Sequence, residues 1–388
     1  MNSEALKKHY QWKGKIKIES LVKIKDVHDL ALAYTPGVAD ACLAIQDDVS
    51  KAYALTRKWN TVAVITDGTA VLGLGDIGPE ASMPVMEGKC LLFKEFADID
   101  AIPICLNTKD TDELVKTIYY MSKSFGGINL EDIAAPRCFE IEERLTKICD
   151  IPVFHDDQHG TAIVVCAALK NALKLVNKDI DKIKIVINGV GAAGSAIAEM
   201  LFNINAKDII FVDRQGILNL ADQTLNSKQR MLVNKSRNKH LVGKLNDAIS
   251  NADVFVGVST KDVLNTDMIR SMNDKPIIFA MANPIPEIMP DKAKSANAFI
   301  IGTGRSDYAN QINNLLVFPG IFKGALMSRA KLINLDMKIA AIDALADIID
   351  KDDLTTDKII PSVFNKLVVE RISRAVAKAA IASKVSRI

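Results

Sequence analysis

The 388 residues suffice for two domains with separate cores, and a small disulfide-stapled module is excluded. A composition that is 49% hydrophobic and 25% charged, with 20 Gly and 12 Pro, belongs to a folded globular chain and excludes a disordered one. Lys and Arg total 49 against 47 Asp and Glu, a net charge of +2 with the basic residues dispersed, so nucleic acid is not an expected partner.

The longest uninterrupted apolar stretches, such as residues 162–169, fall short of the ~20 residues that span a bilayer. The first residues (Met1, Asn2, Ser3, Glu4) lack the apolar core of a secretory leader. A cytoplasmic protein without a membrane partner is expected. Cys42, Cys90, Cys105, Cys138, Cys149 and Cys166 form no Cys-x-x-Cys pair, which argues against a zinc ribbon or redox dithiol and for buried free thiols.

In chain order, a Lys-rich segment (residues 13–25) leads to the turn Tyr34-Thr35-Pro36-Gly37, where Pro36 bars a continuous helix. Short β-branched runs then alternate with helical patterns, the runs falling at 62–66, 102–106, 183–188, 209–213, 254–259 and 277–280. That alternation predicts an α/β protein built of βαβ units around mainly parallel sheets. Near the C-terminus, Phe364, Leu367, Val368, Ile372, Val376, Ala379 and Ala380 recur at helical spacing, predicting a closing amphipathic helix. No Gly/Ser-rich linker intervenes, so the domains should meet at a cleft.

Residues 183–188 read as a buried strand, followed at once by Gly189-Val190-Gly191-Ala192-Ala193-Gly194 and a helical run. In a dinucleotide turn the first glycine permits the bend, the second admits the pyrophosphate, and the third lets helix and strand pack closely. A second strand ends at Asp213, about twenty residues later, where an acid meets the adenosine ribose. Asp213 favours NAD, whereas Arg214 beside it is able to pair with the 2′-phosphate of NADP. The look-alike 73–78 (Gly73-Leu74-Gly75-Asp76-Ile77-Gly78) is followed by Pro79 and Pro84, with no strand ending in an acid at the right distance. It is read as a tight loop near the substrate.

Glu131-Asp132 and Asp156-Asp157 each follow a short apolar run. Crowded carboxylates raise one another's pKa, and a divalent cation with oxygen ligands relieves them. From spacing alone this metal reading, with Mg²⁺ or Mn²⁺, stands level with helix caps and surface turns.

Residues 33–39 (Ala-Tyr-Thr-Pro-Gly-Val-Ala), 66–75 (Thr-Asp-Gly-Thr-Ala-Val-Leu-Gly-Leu-Gly), 84–89 (Pro-Val-Met-Glu-Gly-Lys), 129–132 (Asn-Leu-Glu-Asp) and 155–162 (His-Asp-Asp-Gln-His-Gly-Thr-Ala) together resemble the malic enzymes, most closely their short prokaryotic form. The nucleotide turn, Ala282-Asn283-Pro284, residues 303–307 and residues 313–320 extend the resemblance from about residue 14 to about 345. It implies a Rossmann-type doubly wound sheet in an NAD(P)-binding domain (156–314), and a second α/β substrate domain (1–155) on which the C-terminal helices (315–388) pack back. The implied reaction oxidises (S)-malate by hydride transfer to NAD or NADP, releases CO2 from oxaloacetate, and protonates the enolate to pyruvate.

The resemblance also assigns roles. Glu131, Asp132 and Asp157 would hold the metal, Lys89 would be general base, Tyr34 general acid, and Asp156 would orient Lys89. Gly189, Gly191, Ala192, Ala193, Gly194, Asp213, Arg214 and Asn283 would contact the cofactor, and Asn283 and Asn314 the substrate carboxylate, while Asn313 is able to serve only its turn. Ala70 stands where the larger eukaryotic enzymes carry a carboxylate-binding arginine. A homodimer is implied, and the acetyl-transferring domain of some longer bacterial relatives is not expected. Two alternatives are a malolactic conversion to lactate with tightly held NAD and a catalytically silent NAD-binding regulatory subunit.

Overall fold

The structure, a computed structural model, describes residues 3–71 and 73–388. Met1 and Asn2, used in the leader argument, and Leu72 of the Thr-Asp-Gly motif lie outside the described residues.

Two sheets form. The first contains β1 (Thr61–Thr66), β2 (Asp100–Cys105), β3 (Gly127–Leu130) and β4 (Val153–His155), all parallel in the order β2-β1-β3-β4. The second contains β5 (Lys184–Asn188), β6 (Asp208–Asp213), β7 (Gly216–Ile217), β8 (Val254–Gly257), β9 (Ile277–Ala280) and β10 (Ile300–Thr303). Its order is β10-β9-β8-β5-β6-β7, parallel throughout except for the short edge strand β7. Chain order reverses between β5 and β8, and crevices beside such reversals, at the C-terminal ends of the strands, are where α/β sheets bind ligands. Every runlike strand read from the sequence is present to within two residues, and β1 and β8 are buried along their whole length, as near-continuous apolar parallel strands should be.

The 21-residue helix Asp156–Val176 joins β4 to β5 and packs against helices Ala192–Asn203 and Leu335–Ala346. By length and apolarity it is sufficient to cross a membrane, although scattered polar residues keep its uninterrupted apolar runs short. It is 72% buried inside the protein, as a core helix.

The C-terminal helix is Leu367–Ala382, with Val368, Ile372, Val376 and Ala380 buried at a four-residue spacing. It seats on helix Phe318–Met327, where a Cβ on Gly320 would lie 2.8 Å from Ile372 and one on Gly324 2.7 Å from Val376. Phe364 departs from the expected apolar stripe: it precedes the helix and is exposed. Cys42 likewise departs from the expectation of buried thiols by being exposed, and Cys105 is half-buried. The N-terminal helices Glu4–Trp12, Val27–Ala33 and Val38–Asp47 contain no buried residue.

Candidate active site

The C-terminal ends of β3 and β4 deliver the acids. Glu131 and Asp132 follow Leu130 directly, Asp132 in the left-handed region at φ 53°, and Asp156 and Asp157 open the helix that follows His155. Potential ligand oxygens of Glu131, Asp132 and Asp157 lie within 4.8 Å of one another. Asp157 Oδ2 also accepts the Asp132 main-chain N–H at 2.8 Å, tying the two strand ends together.

Lys89 reaches this cluster from helix Pro79–Ala97. Pro79 occupies the first helical position, where its missing N–H costs nothing; Pro84 sits inside the helix, which forms in spite of the lost donor. Lys89 Nζ is buried, 2.6 Å from Asp156 Oδ2 and 2.8 Å from Glu131 Oε1, and 4.2 Å from the centre of the Phe318 ring. Burial alone would depress Lys89; Asp156, then Glu131, outweigh it and hold the ammonium above the ordinary lysine range.

Burial pushes Glu131 up to about 7, with Lys89 opposing and Asp157 adding to the rise. Burial likewise lifts Asp156 to about 7 and Asp157 to about 6, each against the pull of Lys89. The donor set fits a hard divalent cation: it offers only oxygens, it is largely withdrawn from water, and Asp156 Oδ1 behind it has no hydrogen-bond partner. Its carboxylates are costly to keep ionised together, and a doubly charged ion would compensate them.

Several neighbours hold the cluster in place. Gly160 lies one turn after Asp156, and a Cβ there would land on Asp156 Oδ1. Glu142 accepts hydrogen bonds from the His155 main chain at 2.9 Å and Gln158 Nε2 at 3.1 Å, and lies 2.9 Å from His159 Nε2. Against the cost of burial, His159 and then Lys338 hold Glu142 down at about 2, so it stays an anion. His155 is buried and pushed down to about 4, hence neutral.

The nucleotide turn joins β5 to helix Ala192–Asn203 with each glycine in the role its position requires. Gly189 has φ +102° and a Cβ there would meet the Val258 carbonyl at 2.6 Å; Gly191 faces open space; a Cβ on Gly194 would strike the Gly189 carbonyl. No side chain caps the helix start, leaving its N–H groups for an anion. Asp213 ends β6, its Oδ1 accepting the Gln215 N–H at 2.8 Å, and Arg214 beside it is exposed.

One cavity of about 910 Å³ connects the two halves, lined by Lys89, Glu131, Asp132 and Asp157 on one side and by Ala193, Val258 and Ser259 on the other. Gly73 and Asn283 line it as well; a Cβ on Gly73 would meet the Asn283 carbonyl at 2.6 Å, so the look-alike glycine loop abuts the expected substrate residue. Asn314, expected at the substrate carboxylate, also lines it, and its Nδ2 donates to Asp156 Oδ2 at 2.6 Å, which makes it a support of Asp156. Asn313 Oδ1 accepts the Leu315 N–H and serves its turn. Tyr34 is not brought to the cavity of its own chain: it ends helix Val27–Ala33, is 67% exposed, and is absent from the described lining.

Residues 13–146 match the malic enzyme N-terminal domain and residues 158–384 the malic enzyme NAD binding domain. The chain belongs to the malic enzyme family. It is 52% identical over 389 residues to the bifunctional malic/malolactic enzyme of Bacillus subtilis, covering 100% of this chain and 95% of that protein. It is 54% identical over 374 residues to the NAD-dependent malic enzyme of Geobacillus stearothermophilus, covering 96% and 78%. The crystal structure of NAD-dependent malic enzyme from Thermotoga maritima superposes with a TM-score of 0.94 at 48% identity, over 97% of this chain and 99% of that one. The protein is thus an oxidoreductase of the NAD- or NADP-dependent malic enzymes.

Several supporting residues of this malic enzyme site carry no sequence signal of their own. Glu142 lies mid-helix among other acids, and Arg137 follows a proline, yet Arg137 Nη2 pairs with buried Asp67 Oδ2 at 2.7 Å and fixes the Thr-Asp-Gly turn. Gly160 was legible only as a motif letter. Gly160→Ala is expected to drive Asp156 off Lys89 and lower kcat by about 100-fold or more, since a displaced base loses most of its contribution. The steady-state rate, read beside an intact far-ultraviolet circular dichroism spectrum, checks this.

Proposed function

We propose that this malic enzyme converts (S)-malate to pyruvate and CO2 with reduction of NAD in preference to NADP, using Glu131, Asp132 and Asp157 as ligands to Mg²⁺ or Mn²⁺. The observation that carries the reading is the single cavity in which an oxygen-only carboxylate triad, a buried lysine 2.8 Å from one of its members, and the dinucleotide turn meet. A divalent ion held by Glu131, Asp132 and Asp157 would supply Lewis acidity to the substrate oxygens, and Glu131 so engaged would hold the Lys89 charge less firmly.

In this reading Lys89 takes the C2 hydroxyl proton as the C2 hydride leaves for the nicotinamide. The C3–C4 bond then breaks, CO2 departs, and its electron pair becomes the enolate. Tyr34 returns a proton to C3. Asp156, held by Lys89 and Asn314, orients the base. Because Tyr34 lies outside its own cavity, the reading assigns it to the cavity of a second copy in a homodimer.

The test is an assay of (S)-malate with Mn²⁺ or Mg²⁺ and each nucleotide, following nicotinamide absorbance and identifying the product. Pyruvate with stoichiometric NADH supports the reading. Lactate without free NADH would favour the malolactic alternative, which the Bacillus subtilis relative's name keeps in view. Absence of any malate consumption would leave only the silent regulatory subunit. Asp213→Ser is expected to raise the NADP-to-NAD ratio of kcat/KM by about tenfold, because a repulsive anion beside the 2′ position is removed; an unchanged ratio would place discrimination elsewhere.

A further inference from the structure

A malate dianion calls for a cation opposite whichever carboxylate the metal triad does not take, because a charge moved from water into a cleft without a partner is disfavoured. Two cationic side chains line the cavity among the described residues, Lys89 and Lys15. Lys89 is committed to Asp156 and Glu131. The turn after β1 contributes only the uncharged Ala70 and Gly73. Arg137 is spent on Asp67, Thr69 and the Lys109 carbonyl, and Arg305 on Asp307.

Lys15 is differently placed. Its main-chain N–H donates to Glu87 Oε2 at 3.2 Å, and its Nζ donates to the Pro84 carbonyl at 2.6 Å. Gly14 before it, at φ +114°, lies against the same Glu87 carboxylate. Residues 14 and 15 are therefore strapped to helix Pro79–Ala97, along the stretch that also carries Val85, Gly88 and Lys89 on the cavity wall. Lys15 is half-buried and has no ion-pair partner among the described residues, and two of its three N–H bonds remain for a ligand.

We propose that Lys15 binds the distal carboxylate of the substrate and so selects four-carbon dicarboxylic 2-hydroxy acids over monocarboxylic ones. This rests on the malate reading above and adds its specificity residue. It also accounts for how the site works with alanine at position 70: the charge arrives from the N-terminal segment.

The test is calorimetric binding of (S)-malate and (S)-lactate to the Mn²⁺-loaded protein without nucleotide, so that nothing turns over. The proteins are wild type, Lys15→Met and Lys15→Arg, with NAD binding measured in parallel. Lys15→Met should weaken malate by about 10- to 100-fold, the range for a hydrogen-bonded charge pair, while lactate and NAD change by less than about twofold and Lys15→Arg recovers most of the loss. Unchanged malate affinity overturns the proposal and leaves the malate reading standing. Equal weakening of malate and lactate overturns it in favour of a structural role, and weakened NAD overturns it in favour of a cofactor-phosphate contact. A wild type that binds malate no better than lactate overturns both readings together.

Discussion

Lys89→Ala is expected to lower kcat for malate by about 100- to 10,000-fold, the span of a general base, with NAD affinity unchanged. The lysine lies 2.6 Å from Asp156 and 2.8 Å from Glu131, is buried at the cavity wall, and sits 4.2 Å from the centre of the Phe318 ring. Removal also leaves two buried carboxylates without their counter-charge, and breaking such a pair costs about 3–5 kcal/mol where nothing else compensates. The pH dependence of that cost has a definite sign. Asp156 is raised in the folded chain to about 7, so its protonated form is the one that folding favours. Stability from that proton is fully present below the unfolded value of 3.8 and is lost as pH rises through about 7. The melting temperature of Lys89→Ala should therefore fall furthest below wild type at pH 8 and approach it near pH 5. Partial recovery of turnover by added methylamine would separate a missing base from a damaged fold; a variant at wild-type rate would remove Lys89 from the chemistry altogether.

Much of this was legible in the sequence, and the exceptions have physical causes. The strand–turn–helix around Gly189 is legible because glycine is required there for steric reasons that any chain must obey: Gly189 and Gly194 have no room for a Cβ, and Gly191 faces open space. β1, β5, β6, β8 and β9 announce themselves as apolar β-branched runs. β4 has three residues and β3 has four, opening on a glycine and carrying Asn129 between Ile128 and Leu130, so neither offers a periodicity to detect. The acids were level between caps and ligands because spacing does not reveal that parallel pairing of β3 with β4, Leu130 opposite His155, brings Glu131 and Asp157 to one point. Pro84 within helix Pro79–Ala97 shows a local rule against helix yielding where burial of Met86, Cys90 and Phe93 supports the helix. Tyr34 stands in a matched motif and is nonetheless outside the cavity of its own chain, because a motif carries residue type and not position in space.

Tyr34→Phe and Lys89→Ala should each be nearly inactive alone, and mixing them with subunit exchange should restore about a quarter of wild-type activity. If Tyr34 serves the partner's cavity, a hybrid dimer has one cavity with both lesions and one with neither. Random reassortment makes half of the dimers hybrid, each with one working site of two, whereas Tyr34 acting within its own chain leaves every site of every dimer defective. The surface around Tyr34 is suited to such an exchange. Ile18 is 99% exposed, Val27 81% and Leu21 78%, on a segment whose helices bury nothing within their own chain. Exposed apolar side chains of this kind suit a contact with another chain, and a two-fold axis there would give both cavities the same acid. Differently tagged copies would show by co-purification that hybrids had formed. Hybrids present without recovered turnover would mean that Tyr34 does not act across the interface, and the proton for C3 would have to come from another group lining the cavity.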